Sequence, residues 1–175
     1  DRNTGDIITI ADSATLPQIS PDGQTITYLA LNPDTGIRSL WAASAVDGSD
    51  KQELVAEGIY PDIDLPMFTD DGESIYFTVL EPIEEASRNL FDVLLGAYPV
   101  HAHGNHIVPA VWYRIGVDGS GVEKVTSVPT ITLYGDYHED TIGFVTSTGF
   151  YIVEGIGVQQ VVRSRAIRSF VWMPD

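Results

Sequence analysis

An all-β fold of repeated four-stranded sheets is predicted by three observations. The phrase Leu16-Pro17-Gln18-Ile19-Ser20-Pro21-Asp22-Gly23-Gln24-Thr25-Ile26-Thr27-Tyr28 returns as Leu65-Pro66-Met67-Phe68-Thr69-Asp70-Asp71-Gly72-Glu73-Ser74-Ile75-Tyr76-Phe77, and Val171-Trp172-Met173-Pro174-Asp175 begins it again. Turn residues punctuate the chain roughly every eight to twelve positions, and the segments between them alternate with period two. With 43% hydrophobic and 19% charged residues in 175, the chain can bury a core. A single four-stranded sheet cannot cover both of its faces, so tandem copies stack radially. The expectation is one domain over 1–175: a β-propeller segment of antiparallel blades, about three of them plus parts of a flanking blade, with a short helical insertion in the second.

Taken in order, residues 6–10 read as the outer strand of a preceding blade. The first blade covers 16–57. Its inner strand is 17–20, and Pro21-Asp22-Gly23 turns the chain because proline presets φ, aspartate bonds its own backbone and glycine accepts positive φ. Residues 24–31 alternate, with Ile26, Tyr28 and Ala30 on one face. Asn32-Pro33-Asp34-Thr35-Gly36 breaks that strand, a third runs over 39–45 around Trp41, Asp47-Gly48 makes a hairpin, and 52–56 is the outer strand.

The second blade covers 65–127. Gly23 to Gly72 is a step of 49 residues, whereas Leu40-Trp41 and Val46-Asp47-Gly48-Ser49 recur 71 residues later as Val111-Trp112 and Val117-Asp118-Gly119-Ser120. The difference predicts 22 inserted residues within 81–110. It also places Trp41 and Trp112 at equivalent positions, which points to packing. The third blade, 130–163, has strands at 131–134, 141–146, 150–153 and 158–162, with 136–140 replacing the Pro-Asp-Gly turn and Ser147-Thr148-Gly149 as a second turn. Residues 168–175 open a flanking blade. Three blades leave two apolar end faces, so further blades or a partner are expected to cover them.

The insertion is where recognition is expected, because loops on a rigid scaffold vary freely. Residues 82–95 read as a helix: Pro82 suits the first turn, and Glu81, Glu84 and Glu85 complement the positive end of its dipole. Ile83, Ala86, Leu90 and Leu94 form one apolar stripe. The stripe either packs over the blade edge or docks a partner, and Ile83, Leu90, Leu94 and Tyr98 are the expected contact residues. His101, His103 and His106, three of the four histidines, follow within six positions. Imidazoles at this spacing suit a transition metal, or belong to the loop's own structure.

The 25 acidic against 9 basic residues give a net charge of −16, which repels phosphate backbones and anionic membrane surfaces. The absence of cysteine excludes disulfides, thiolate metal sites and cysteine nucleophiles. No run approaches the roughly 20 apolar residues of a membrane helix. The chain opens on Asp1-Arg2-Asn3-Thr4-Gly5 without a basic, apolar leader, so any signal peptide or anchor is expected to have been removed or to lie outside this sequence. Enzyme signatures fail one by one. Asp118 stands where a nucleophile elbow around Ser120 requires glycine. Carboxylate pairs such as Asp62/Asp64 and Glu139/Asp140 are expected by chance among so many acids. No glycine-rich loop opens a helix with a lysine, as phosphate binding needs.

Ile19-Ser20-Pro21-Asp22-Gly23-Gln24-Thr25-Ile26-Thr27-Tyr28, followed by Leu40-Trp41 and Asp47-Gly48-Ser49, resembles the TolB-type β-propeller repeat. The resemblance covers 6–80 and 110–126 closely and 130–175 by strand spacing alone. Thr69-Asp70 departs from the Ser-Pro of the repeat. The resemblance implies a propeller that is an extracytoplasmic interaction module or the non-catalytic propeller of a larger peptidase. It also implies a structural, hydrogen-bonding His103 in Ala102-His103-Gly104. The expectation is therefore a non-catalytic protein-interaction or scaffold module, without cofactor, on the outer side of a bacterial membrane. The alternatives are the propeller of a larger serine peptidase and a metal-dependent site at the three histidines.

Overall fold

The computed structural model describes residues 7–80, 110–128, 132–155 and 157–173. They form twelve strands in three antiparallel sheets of four. The first sheet is β1 (Ala14–Ile19), β2 (Thr25–Leu31), β3 (Arg38–Ser44) and β4 (Gln52–Val55). The second is β5 (Ile63–Phe68), β6 (Ser74–Leu80), β7 (Ala110–Gly116) and β8 (Glu123–Val128). The third is β9 (Thr132–His138), β10 (Thr141–Thr146), β11 (Gly149–Glu154) and β12 (Gly157–Arg163). Each sheet is a meander in sequence order, and β1, β5 and β9 lie next to one another as the inner strands. The described residues contain no helix. The helix expected over 82–95, with Ile83, Leu90, Leu94 and Tyr98, and the histidines at 101, 103 and 106 all lie outside the described residues.

Alternation along the central strands builds the core at the blade interfaces. Leu29, Leu40 and Ala42 of the first sheet face Ile75, Phe77, Val79, Val111 and Ile115 of the second, all buried. The opposite face of the second sheet offers Met67, Ala110, Trp112 and Val128 to Ile142, Phe144 and Val153 of the third. Complete burial of a side chain such as Phe77 contributes about 1.5–3 kcal/mol. The radial stack is therefore held by two apolar interfaces.

The turn that opens each repeat is fixed by its own side chains. Ser20 Oγ donates to Asp22 Oδ1 (2.6 Å) and accepts from Thr25 N (2.9 Å), while Gln24 N donates to Asp22 Oδ1 (3.0 Å). Gly23 (φ 72°) supplies the left-handed residue. In the second repeat Thr69 and Asp71 make the same contacts, with Thr69 Oγ1 donating to Asp71 Oδ1 (2.5 Å) and Gly72 at φ 71°.

Four expectations are corrected. Tyr28 pairs with Trp41, but its counterpart Phe77 pairs with Tyr113, and Trp112 pairs with Thr78. Trp41 and Trp112 are therefore one register apart and on opposite faces. The cause is one extra residue in the first hairpin: Ser44 N bonds Ser49 O, whereas Gly116 N bonds Ser120 O. Matching the hairpins alone hid that residue, so the strands of β3 and β7 are offset by one more position than their turns. In the third blade β9 continues to His138, so 136–140 is not all turn. Only Glu139 and Asp140 turn, at φ 47° and 61°. Residues 7–10 and 168–173 form no strand. Residues 168–173 still cover the third sheet through Phe170 and Trp172, because a Cβ on Gly143 would lie 2.5 Å from Phe170 and 2.9 Å from Trp172.

Candidate functional site

The three inner strands line an open cleft of about 330 Å³. Leu16, Gln18 and Ile19 line it from β1, Leu65 and Met67 from β5, and Tyr134 and Asp136 from β9. Its geometry follows from the repeated Leu-Pro pair. Register shifts between Thr15 and Gln18, and between Asp64 and Met67, mark a bulge at the same place in both inner strands. Leu16 and Leu65 both sit at φ 49°. Left-handed backbone at a bulky residue costs about 1–3 kcal/mol, and bulges re-aim side chains beside binding sites. Pro17 and Pro66 follow on an inner edge, where proline's missing N–H breaks no ladder. The result is an apolar rim, with Ile19 62% exposed and Leu16 38% exposed. Asp136, whose Oδ1 accepts from Tyr137 N (3.0 Å), is a carboxylate in that lining.

Side-chain contacts between blades flank the second inner strand at both ends. Arg38 of the first blade reaches Asp62 and Asp64 of the second (3.5 Å each) and donates to Ile63 O (3.2 Å). Burial pushes the half-buried Asp64 carboxyl up, against the Leu65 N–H and Arg38, which pull it down. Leu80 N bonds Asp62 O, and Leu80 pairs with Ala110, so β6 ends and β7 begins beside this cluster.

At the other end, the residue after Ser20 or Thr69 makes the contact between blades. Pro21 packs against the next turn, because a Cβ on Gly72 would lie 3.5 Å from Pro21 Cδ. Asp70 replaces that proline in the second repeat. It accepts from Glu139 N (2.9 Å) and lies 3.7 Å from His138 Nδ1. The Thr69-Asp70 departure thus exchanges an apolar blade contact for a polar one. The same link holds the Glu139-Asp140 turn, where Tyr137 OH also donates to Asp140 Oδ1 (2.8 Å) and Thr141 Oγ1 to Glu139 O (3.4 Å).

Asp62/Asp64 serve the Arg38 contact, and Glu139/Asp140 form the β9–β10 turn. Ser120 caps its hairpin by donating to Asp118 Oδ1 (2.6 Å). Among the described residues no three His, Asp or Glu side chains come together as metal ligands. The cleft residues were missed in the sequence although Leu16-Pro17 and Leu65-Pro66 repeat at the same step as the Asp-Gly turn. Two prolines in register on an inner strand were the available signal.

No family model matches the sequence, and no curated protein matches it either. Solved structures do match. The β-propeller domain of the Trilobed protease from Pyrococcus furiosus aligns with a TM-score of 0.56 at 16% identity, over 87% of this chain and 44% of that one. TolB from Acinetobacter baumannii aligns with a TM-score of 0.56 at 16% identity, over 86% of this chain and 32% of that one. The tricorn protease aligns with a TM-score of 0.68 at 12% identity, over 93% and 20%. The chain therefore spans less than half the length of each of these three structures. In fold, the chain is a TolB-like β-propeller segment of three four-stranded blades.

Proposed function

We propose that this chain is a non-catalytic recognition module that binds a protein segment through the cleft between its inner strands. The observation that carries this reading is the pair of strained, proline-backed bulges that turn Leu16 and Leu65 toward one apolar-rimmed cleft. Backbone strain of this kind clusters at ligand clamps and binding sites, and Leu65 also packs against the core between the second and third blades. An apolar patch flanked by an amide or basic group fits Ile19, Gln18 and Asp136. The stretch 81–110, with Ile83, Leu90, Leu94 and Tyr98, is proposed as a second contact surface, since β6 ends and β7 begins beside Arg38 and Asp62. An extracytoplasmic location belongs to the same proposal and rests on the TolB resemblance. No helix among the described residues is long and apolar enough to cross a membrane.

A second reading, the propeller of a larger peptidase, is favoured by the likeness to the propeller of the Trilobed protease and to the tricorn protease. Both readings assign the described blades a binding role and no bond-breaking step. A photo-crosslinking residue at Gln18, in the full chain in its own cells, tests the cleft. A discrete protein adduct that Ile19→Arg abolishes and Glu53→Arg preserves supports the reading. The same adducts from a crosslinker placed at Glu53 would overturn it. Metal analysis of the purified protein addresses the histidines separately: stoichiometric zinc, copper or nickel, lost on replacing His101, His103 and His106, would assign that activity instead.

A further inference from the structure

The third sheet ends on an outer strand unlike the other two. β4 has four residues and buries Leu54 and Val55, and β8 opens on Glu123 and Lys124. β12 has seven residues, all exposed, and lacks any acid. Its Val158, Val161 and Val162 are 37%, 49% and 43% exposed. As the terminal strand of its sheet, β12 presents an unpaired main-chain edge among the described residues. Such edges are ordinarily blunted by charge, proline, bulges or short length; this one carries the bulge at Val161 and one charge, Arg163, at its last position.

The charge beside it is reversed from that of the whole chain. Residues 157–173 hold Arg163, Arg165 and Arg168 and no carboxylate, in a protein of net charge −16. All three arginines are exposed, and none makes an ion pair among the described residues.

We propose that β12 and the arginine run that starts at its last residue bind an acidic, extended peptide segment, which adds to the sheet as a fifth strand. Main-chain hydrogen bonds to the open edge supply the register, and apolar side chains of the guest meet the exposed valines. Its carboxylates meet Arg163, Arg165 and Arg168, which select acidic guests and reject basic ones. A polyphosphate or nucleic acid would meet the same arginines but gain nothing from the edge or the valines. This surface is separate from the axial cleft.

Fluorescence anisotropy with a labelled ten-residue peptide of alternating valine and glutamate tests the proposal on the full chain. Binding is expected to be about tenfold tighter than that of the lysine counterpart, or of the same peptide with a central proline. The variant R163Q/R165Q/R168Q, verified as folded by circular dichroism, loses about tenfold in affinity, whereas Lys51→Gln, an exposed charge removal on the first blade, changes nothing. Equal binding of the proline-interrupted peptide, unchanged affinity in the triple variant, or hexametaphosphate binding as tightly as the acidic peptide would each overturn it.

Discussion

Replacing Asp70 with alanine should loosen the third blade from the second. The carboxylate accepts one backbone hydrogen bond, from Glu139 N at 2.9 Å, and lies 3.7 Å from His138 Nδ1. A hydrogen bond to a charged acceptor contributes about 1.5–3 kcal/mol when shielded. The side chains of Asp70 and His138 are 54% and 43% exposed, so solvent screening brings the expected loss to about 1 kcal/mol. In a domain of this size that corresponds to about 2–4 °C in Tm. The bond also holds a turn in which Glu139 and Asp140 both have positive φ, so its loss should raise hydrogen exchange at 138–141 before the sheets open. Denaturant unfolding followed by circular dichroism measures the loss, with Glu73→Ala, an exposed change in the same turn, as the control. Asp70→Asn keeps an acceptor and should recover part of the effect. Because the backbone bond dominates, added salt should change little. An Asp70→Ala variant as stable as Glu73→Ala, with unchanged exchange at 138–141, would refute the reasoning.

Three further outcomes follow from the packing and the charges. Phe77→Ala removes a fully buried ring stacked near Tyr113 (ring centroids 5.8 Å) and should cost about 3–5 kcal/mol in equilibrium unfolding. Gly143→Ala places a methyl where Phe170 and Trp172 rest, so residues 168–173 should detach and become sensitive to limited proteolysis while the three sheets survive. Acid should destabilise the turns: hydrogen bonds from Ser44 and Ser49 lower Asp47 to about 2, and those from Ser20, Thr69 and Ser120 lower Asp22, Asp71 and Asp118. Their folded-state values lie below the unfolded ones, so their contribution is present above about pH 4 and is lost toward pH 2, read as Tm against pH. Asp64, raised by burial, acts in the opposite sense, its contribution fading as pH rises through its folded value.

The repeat was legible because each turn writes its own chemistry into adjacent residues. Ser20, Asp22 and Gly23 are within four positions, and the hydrogen bonds that need them are local. The central strands were legible for the same reason, since Ile26, Tyr28 and Ala30 alternate against Thr27 and Leu29. What escaped depends on contacts between distant segments. The one-residue difference between the hairpins at Asp47 and Asp118 shifts Trp112 to the other face, and two similar turn phrases conceal it. Asp70 stood out as a departure, but Glu139, the residue it holds, is 69 positions away. The cleft required knowing that Leu16 and Leu65 take positive φ, which no propensity of leucine suggests.

The cysteine-free chain allows nitroxide labels to be placed at will, and one labelled pair tests the central claim directly. Gln18 on β1 and Asp136 on β9 line the same cleft although they are far apart in sequence. Labels at both positions should broaden each other's spectrum through dipolar coupling, relative to the sum of the two singly labelled proteins. A doubly labelled spectrum that merely equals that sum would contradict convergence of the three inner strands on one axis.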